Sequence, residues 1–179
     1  MLTIKSLHST DIEDSMLDTF NRSQVTQNVL VHESGHLLQK EDSFKDEWTF
    51  QQKREIIKHF RHVLNLGGAV IVATLELTIV GFAVIESEEF GQIFRYRELS
   101  YIHVTSEHRG TGIGSQLFEK ASNVARELGA DKLYIGSHPA VETQRFYSEM
   151  GCVLAKEINE SIYLRETRDI QLEFDVSRG

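Results

Sequence analysis

Alternating and helically spaced apolar positions divide the chain into short elements of both kinds. Residues 2–7, LTIKSL, alternate as a half-buried strand does, and HSTDIEDSM after them supplies the caps of a helix running to about Phe20. QVTQNVLVH and HLLQKE read as two strands joined at Ser34-Gly35, a β-hairpin near residues 25–40. Over 43–66, Ile56, Ile57, Phe60, Val63 and Leu64 recur at helical spacing, and Gly67-Gly68 supplies the stop. AVIVATL (69–75) and IVGFAVIE (79–86) are β-rich runs about a short polar turn, a second hairpin. IFRYRELSYIHV (93–104) makes a long strand. Beyond it, Ile113, Leu117, Ala121, Val124 and Leu128 step along one helical face toward Gly129. KLYIGS (132–137) is a short buried strand, Pro139 suits the first turn of the next helix, and that helix ends at Gly151. Strands near 152–156 and 170–176, with a polar connector between them, close the pattern. No repeat, low-complexity tract or linker interrupts it, so one α+β domain over 1–179 is expected.

Composition narrows the function classes. The chain is 40% apolar and 26% charged, and no apolar run approaches the ~18 residues of a membrane span. MLTIKSLHSTDIED lacks the long apolar stretch of a secretory leader. The one cysteine, Cys152, cannot form an internal disulfide and is most simply a small buried hydrophobe, as suits a reducing cytoplasm. A net charge of −8 works against a nucleic-acid surface, which needs clustered Lys and Arg, and leaves room for a cationic partner. A cytoplasmic monomer or homodimer without nucleic-acid or membrane partners is expected.

Two stretches carry candidate chemistry. His32-Glu33-Ser34-Gly35-His36 spells HExxH, which on a helix lets two imidazoles clasp one zinc while the Glu activates water. Here the local physics opposes a helix. Gly35 in a helix interior costs about 1 kcal/mol relative to Ala, and Ser34-Gly35 is a turn signal between two strand-like runs. Gln39 also stands where the extended zinc motif has glycine. A zinc peptidase is therefore a remote alternative, and no metal is expected. In a hairpin, Glu33 lies at the tip, and His32, Glu33 and His36 could hang over an acceptor pocket.

The second stretch, YIHVTSEHRGTGIGSQLF (101–118), runs a strand through a Gly-rich loop straight into a helix. Glycines let the backbone approach a ligand closely, and successive amides beside the positive end of a helix dipole grip phosphate or pyrophosphate. The lysine of a P-loop is missing, and the spacing after Gly110 and Gly112 does not fit a dinucleotide fold.

Arg109-x-x-Gly112-x-Gly114, on a strand–loop–helix unit, resembles the acyl-CoA-binding motif of the GNAT N-acetyltransferase superfamily. Phe146-Tyr147-Ser148-Glu149-Met150-Gly151-Cys152 is similar to the second family motif, FYxxxGF, with Cys in the last place. The resemblance covers roughly residues 69–176. It implies a mixed, mainly antiparallel twisted sheet with splayed central strands and about four flanking helices. It also implies acetyl-CoA as donor and a primary amine of a small molecule as acceptor, attacking directly in a ternary complex. Acyl-CoA binding without transfer, as a sensor or scaffold, is the alternative.

Residue by residue, the resemblance gives the amides of Arg109, Gly110, Thr111, Gly112, Ile113, Gly114 and Ser115 the coenzyme pyrophosphate. The backbone at His103 and Val104 would pair with the pantetheine arm and polarise the thioester carbonyl. Glu98 lies where some relatives carry a general base, and Tyr147 where the family has the acid that protonates the leaving thiolate. Tyr101 and His103 are reserve candidates that face away unless a bulge flips their parity. Many relatives have Asn where this chain has Ala140, so Ser137, His138 or Thr143 would have to supply the missing hydrogen bond. The acceptor pocket is expected from the N-terminal helices and the 24–45 segment, and the acidic balance favours a cationic amine.

Overall fold

The computed structural model describes residues 1–178; Gly179, the end of the expected domain, lies outside them. Nine strands and four α-helices follow one another along those residues. In chain order they are β1 (Leu2–Ser6), β2 (Gln24–Glu33), β3 (His36–Asp46), α1 (Phe50–Asn65), β4 (Ala69–Leu75), β5 (Thr78–Phe90) and β6 (Tyr96–Val104), then α2 (Ile113–Glu127), β7 (Lys132–Ser137), α3 (Val141–Met150), β8 (Val153–Leu154), α4 (Glu160–Arg165) and β9 (Ile170–Asp175). Seven strands form one sheet in the order β1-β4-β5-β6-β7-β9-β8. Every neighbouring pair is antiparallel except β6 and β7. The fold is mixed α+β, as expected.

The sheet is buried on both faces, which explains the unbroken apolar run of β4. Ala69, Ile71 and Ala73 join the core under α2, together with Ile113, Leu117, Ala121 and Val124. Val70 and Val72 point the other way, where Ile56, Ile57, Phe60 and Val63 of α1 cover them. Each helix buries one stripe because its apolar positions recur at the helical period. Thr49 caps α1 by accepting from the amide of Gln52, whose side chain accepts from Thr49 in return.

Several expected boundaries move. The first helix is absent: a 3-10 turn at Ser9–Asp11 and turns over 14–19 carry Ile12, Leu17 and Phe20 into the α1-side core without a regular helix. Residues 43–46 belong to β3, so α1 starts at Phe50 rather than near 43. Pro139 stands just outside α3, before its cap Ala140. The polar connector contains α4, started by Asn159, whose side chain accepts from the amide of Ile162.

β2 and β3 form a separate antiparallel hairpin. Ser34 and Gly35 both have positive φ, 51° and 80°, the pattern of a tight turn that matches strand twist. Its base docks on the loop after β7, where the Leu30 amide donates to the Pro139 carbonyl and Val29 bridges Ala140. Its tip, 32–41, is exposed.

Candidate active site

The parallel pairing of β6 with β7 covers only Tyr96 to Glu98 against Lys132 to Tyr134. Beyond it, β6 keeps to β5 and β7 keeps to β9. The two central strands therefore splay, leaving unpaired backbone groups along the opening. A cleft of about 1000 Å³ occupies it, lined by Leu99–Val104 from β6, Ile135 and Gly136 from β7, the Gly-rich loop, and Phe146 and Tyr147 of α3.

The loop meets the requirements for an anion grip. Gly110 and Gly112 sit at φ 75° and 87°, where a side chain would be strained, and α2 begins at once after Gly112. No side chain caps this helix, so its first amides, at Ile113, Gly114 and Ser115, have no intrahelical acceptor. An added Cβ at Gly114 would stand 3.3 Å from the Phe146 ring. The Arg109 side chain turns away from the loop. It donates to the carbonyls of Val104, Ser23 and Arg22 at 3.0, 2.6 and 2.9 Å, fastening strand end, loop and N-terminal segment together. Thr111 closes the turn by donating to the His108 carbonyl.

Tyr147 is 6% exposed and lines the cleft from the coenzyme-side core. Burial, with Cys152 and Asp169 nearby, pushes its pKa far above the ordinary phenol value, so it is neutral at physiological pH. One helical turn after Ala140, Gln144 donates to Ser137 Oγ and the His138 carbonyl, each at 2.8 Å. Ser137 donates in turn to the Ile170 carbonyl. Of the residues expected to compensate, Ser137 and His138 meet Gln144, while Thr143 accepts from Gln24 of β2.

On β6, Tyr101 pairs with Val84 and Leu99 with Ile85, which makes Ser100 an extra residue. The bulge reverses parity: Leu99 and Ile102 both join the α2-side core, whereas Tyr101 joins the α1 side. Tyr101 and His103 thus share a face with Glu98. His103 lies in the cleft with its ring centroid 4.9 Å from that of Trp48, and burial, helped by Arg22, Arg109 and His138, holds its pKa well down, so it is neutral. Glu98 is not among the cleft-lining residues. Both its oxygens accept from Arg165 of α4, at 2.8 and 2.7 Å, while burial outweighs that pair and keeps its pKa raised. Arg165 instead borders a smaller hollow of about 300 Å³ with His59, Glu86, Ser100 and Tyr101. The motif residues are brought together around the splay; Glu98 is not brought to Tyr147.

The acceptor side holds residues that no motif marked. Arg22, 8% exposed, lines the cleft and bonds Gln24 at 2.8 Å. Trp48, His138 and Asp169 line it too, and His138 is paired with Asp46 at 2.8 Å. They come from segments far apart in the chain, and only the single Trp was a compositional hint. The HExxH residues are elsewhere. Glu33 pairs with His36 and His32 with Leu37 across the hairpin, so the helical face that zinc binding by this motif requires is not formed. Glu33 bonds Lys40 at the exposed tip, and none of His32, Glu33 or His36 lines the cleft, against the expectation that they overhang it.

A sheet splayed beside a glycine-rich helix start, with a buried phenol across the opening, is the architecture of acyl-coenzyme A-dependent transferases. Comparison with known proteins agrees. The profile of the acetyltransferase (GNAT) family matches residues 35–152. An N-acetyltransferase of Archaeoglobus fulgidus, itself uncharacterized, is 30% identical over 109 residues, 58% of this chain and 73% of the relative. The chain belongs to the GNAT acetyltransferase family, whose acetyl donor is acetyl-CoA. Among solved structures, nourseothricin acetyltransferase superposes with a TM-score of 0.69 at 18% identity, covering 98% of both chains. A Bacillus anthracis protein described as a streptothricin acetyltransferase, solved with acetyl coenzyme A, gives 0.67 at 18% identity over 97% of this chain and 96% of its own. At such identity these two support the fold.

Proposed function

We propose that the protein is a single-domain N-acetyltransferase, residues 1–179, acting in the cytoplasm as a monomer or homodimer. It moves the acetyl group of acetyl-CoA to a primary amine of a small cationic acceptor, by direct attack in a ternary complex. The observation that carries this reading is the continuity of the cleft. It runs from the uncapped amides of α2, through the splay, to a face lined by Trp48, Tyr101, His103 and Asp169. Donor and acceptor can therefore approach from opposite sides of one opening, which favours direct attack over a covalent relay.

In this scheme the amides from Arg109 to Ser115 hold the pyrophosphate, and the free backbone near His103 and Val104 pairs with the pantetheine arm. Tyr147, neutral and buried, gives its proton to the leaving thiolate. Glu98, clamped by Arg165, is assigned to ordering the wall beneath Tyr101 rather than to direct contact with the amine.

The names of the structural neighbours place nourseothricin and streptothricin in an acceptor panel beside spermidine, lysine and tyramine. The expected outcome is a rise in melting temperature with acetyl-CoA, by linkage, and thiol release with at least one amine. Coenzyme binding without transfer across the panel would replace this reading by that of an acyl-CoA sensor.

A further inference from the structure

The scheme leaves the amine's proton without a destination. An alkylammonium has a pKa near ~10, so almost none of it is nucleophilic at neutral pH until a base removes a proton. Glu98 is held by Arg165 outside the cleft. His103 is in the cleft, but a ring held so far toward neutrality is a poor proton acceptor. Two cleft-lining carboxylates remain, Glu142, exposed in the first turn of α3, and the half-buried Asp169, of which only the second is shielded from bulk water. Asp169 directly precedes β9, whose Ile170 pairs with Ser137 at the end of β7, where the splay is open. Ile170 points into the α2-side core, so alternation turns Asp169 to the opposite, hairpin side. Among the described residues its carboxylate has no hydrogen-bond or ion-pair partner, although it is only partly exposed.

We propose that Asp169 receives the acceptor's ammonium group and takes its proton, making it the catalytic base opposite Tyr147. The proposal rests on the transferase reading above. Asp169 accepts one proton from R–NH3⁺, and the free amine attacks the thioester carbonyl. The new C–N bond forms as the C–S bond breaks, with the Tyr147 proton passing to sulfur. The phenolate then recovers a proton from the amide nitrogen, and Asp169 releases its own to water. Acetyl-CoA and R–NH3⁺ become R–NH–acetyl, CoA–SH and H⁺.

The surroundings suit this task. Burial, reinforced by Glu166, raises the Asp169 pKa to about 7. Arg168 on the same loop and Arg165 of α4 oppose the rise, and Asp46 of β3 adds to it. Tyr147 of α3 faces it across the opening, and His138, paired with Asp46, shares the cleft. A base poised there is about half ionised at neutral pH, yet strong enough to accept from an ammonium beside it.

The test uses the full chain and the amine panel. With the amine that the wild type acetylates best, Asp169→Asn is expected to lower kcat/KM about 100-fold and to remove the limb of the pH profile near 7. The acetyl-CoA-induced melting shift should stay unchanged, and Asp169→Glu should restore a limb. An Asn variant with near-normal kcat/KM and an intact limb overturns the assignment. If the wild type transfers to no amine, the transferase reading fails instead, and the carboxyl is then read directly. An NMR-followed titration of Asp169 in the acetyl-CoA-bound protein should fall near 7, and an ordinary aspartate value overturns the proposal whatever the acceptor.

Discussion

A phenol can protonate a thiolate only if it keeps its proton until the bond breaks. Tyr147 does so because the α2-side core and Phe146 shut water away from it. Tyr147→Phe keeps the ring and its packing while removing the proton, so turnover should fall about 100-fold with little change in acetyl-CoA binding. Comparing kcat with the coenzyme-induced melting shift separates the two. Gly112 tests the other half of the site. At φ 87° a β-branched side chain is strained by roughly 1–3 kcal/mol, and relieving that strain would swing the helix-start amides off the anion. Gly112→Val should still fold, with a modestly lower melting temperature, and lose its stabilisation by acetyl-CoA; an undiminished shift would remove the loop from pyrophosphate binding. Both residues stood in short motifs and were legible from the sequence. The orientation of Glu98 was not. The extra residue at Ser100 reverses the facing of β6, and nothing in RELSYIHV marks a bulge.

At the scale of elements, the hairpin shows what local sequence can and cannot specify. Its turn was legible because Ser34-Gly35 sits between strand-like runs, and that reading removed zinc chemistry from HESGH. Its role was not, because docking depends on partners about a hundred residues away: Leu30 on Pro139, Asp46 on His138, Gln24 on Thr143. The segment after β1 misled for a related reason. Ile12, Leu17 and Phe20 are apolar because α1 and β5 cover them, not because a helix carries them. Arg109 joins these elements by holding two carbonyls of the N-terminal segment and the end of β6. Arg109→Ala should free the loop from the segment that carries Arg22 and Gln24. Expected is an acetyl-CoA Kd raised about 10-fold, the equivalent of ~1.4 kcal/mol, and a higher KM for the amine as well; a change confined to one substrate would contradict the joint role. The double variant His32→Ala, His36→Ala should leave kcat/KM unchanged, since both histidines lie at the exposed tip.

For the whole molecule, the site's electrostatics set how stability varies with pH. A carboxyl whose pKa is raised by folding binds its proton more tightly in the folded state. Asp169 therefore withdraws stability as pH climbs from the ordinary aspartate value to about 7, and the loss is complete above that. His59 acts in the same direction. Its hydrogen bond to Glu86 raises its pKa against the opposing effect of burial, so its contribution is full below about 6.5 and fades as pH rises through the folded value. Glu86 has the opposite sign. Burial would raise its pKa, but His59 and Ser100 together hold it below the ordinary value, so its contribution is lost only in acid. Asp169→Asn isolates one of these effects, because no hydrogen bond within the protein is sacrificed. The unliganded Asn variant should be more stable than wild type by about 1–3 kcal/mol above pH 7, a figure reduced for the water that still reaches the group. The gain should shrink to roughly a few tenths of a kcal/mol toward pH 4, where the folded state holds the proton and the unfolded state holds it about half the time. No sequence pattern distinguishes this aspartate among 27 acidic residues; only the meeting of β7, β9 and the hairpin base gives it an unpaired, half-buried place. Denaturant unfolding of both proteins from pH 4 to 8 measures the difference directly. A curve that stays flat would mean the carboxylate is solvated, whereas a gain that grows with pH, joined to lost turnover, would mean that the fold gives up stability to keep a base beside its acid.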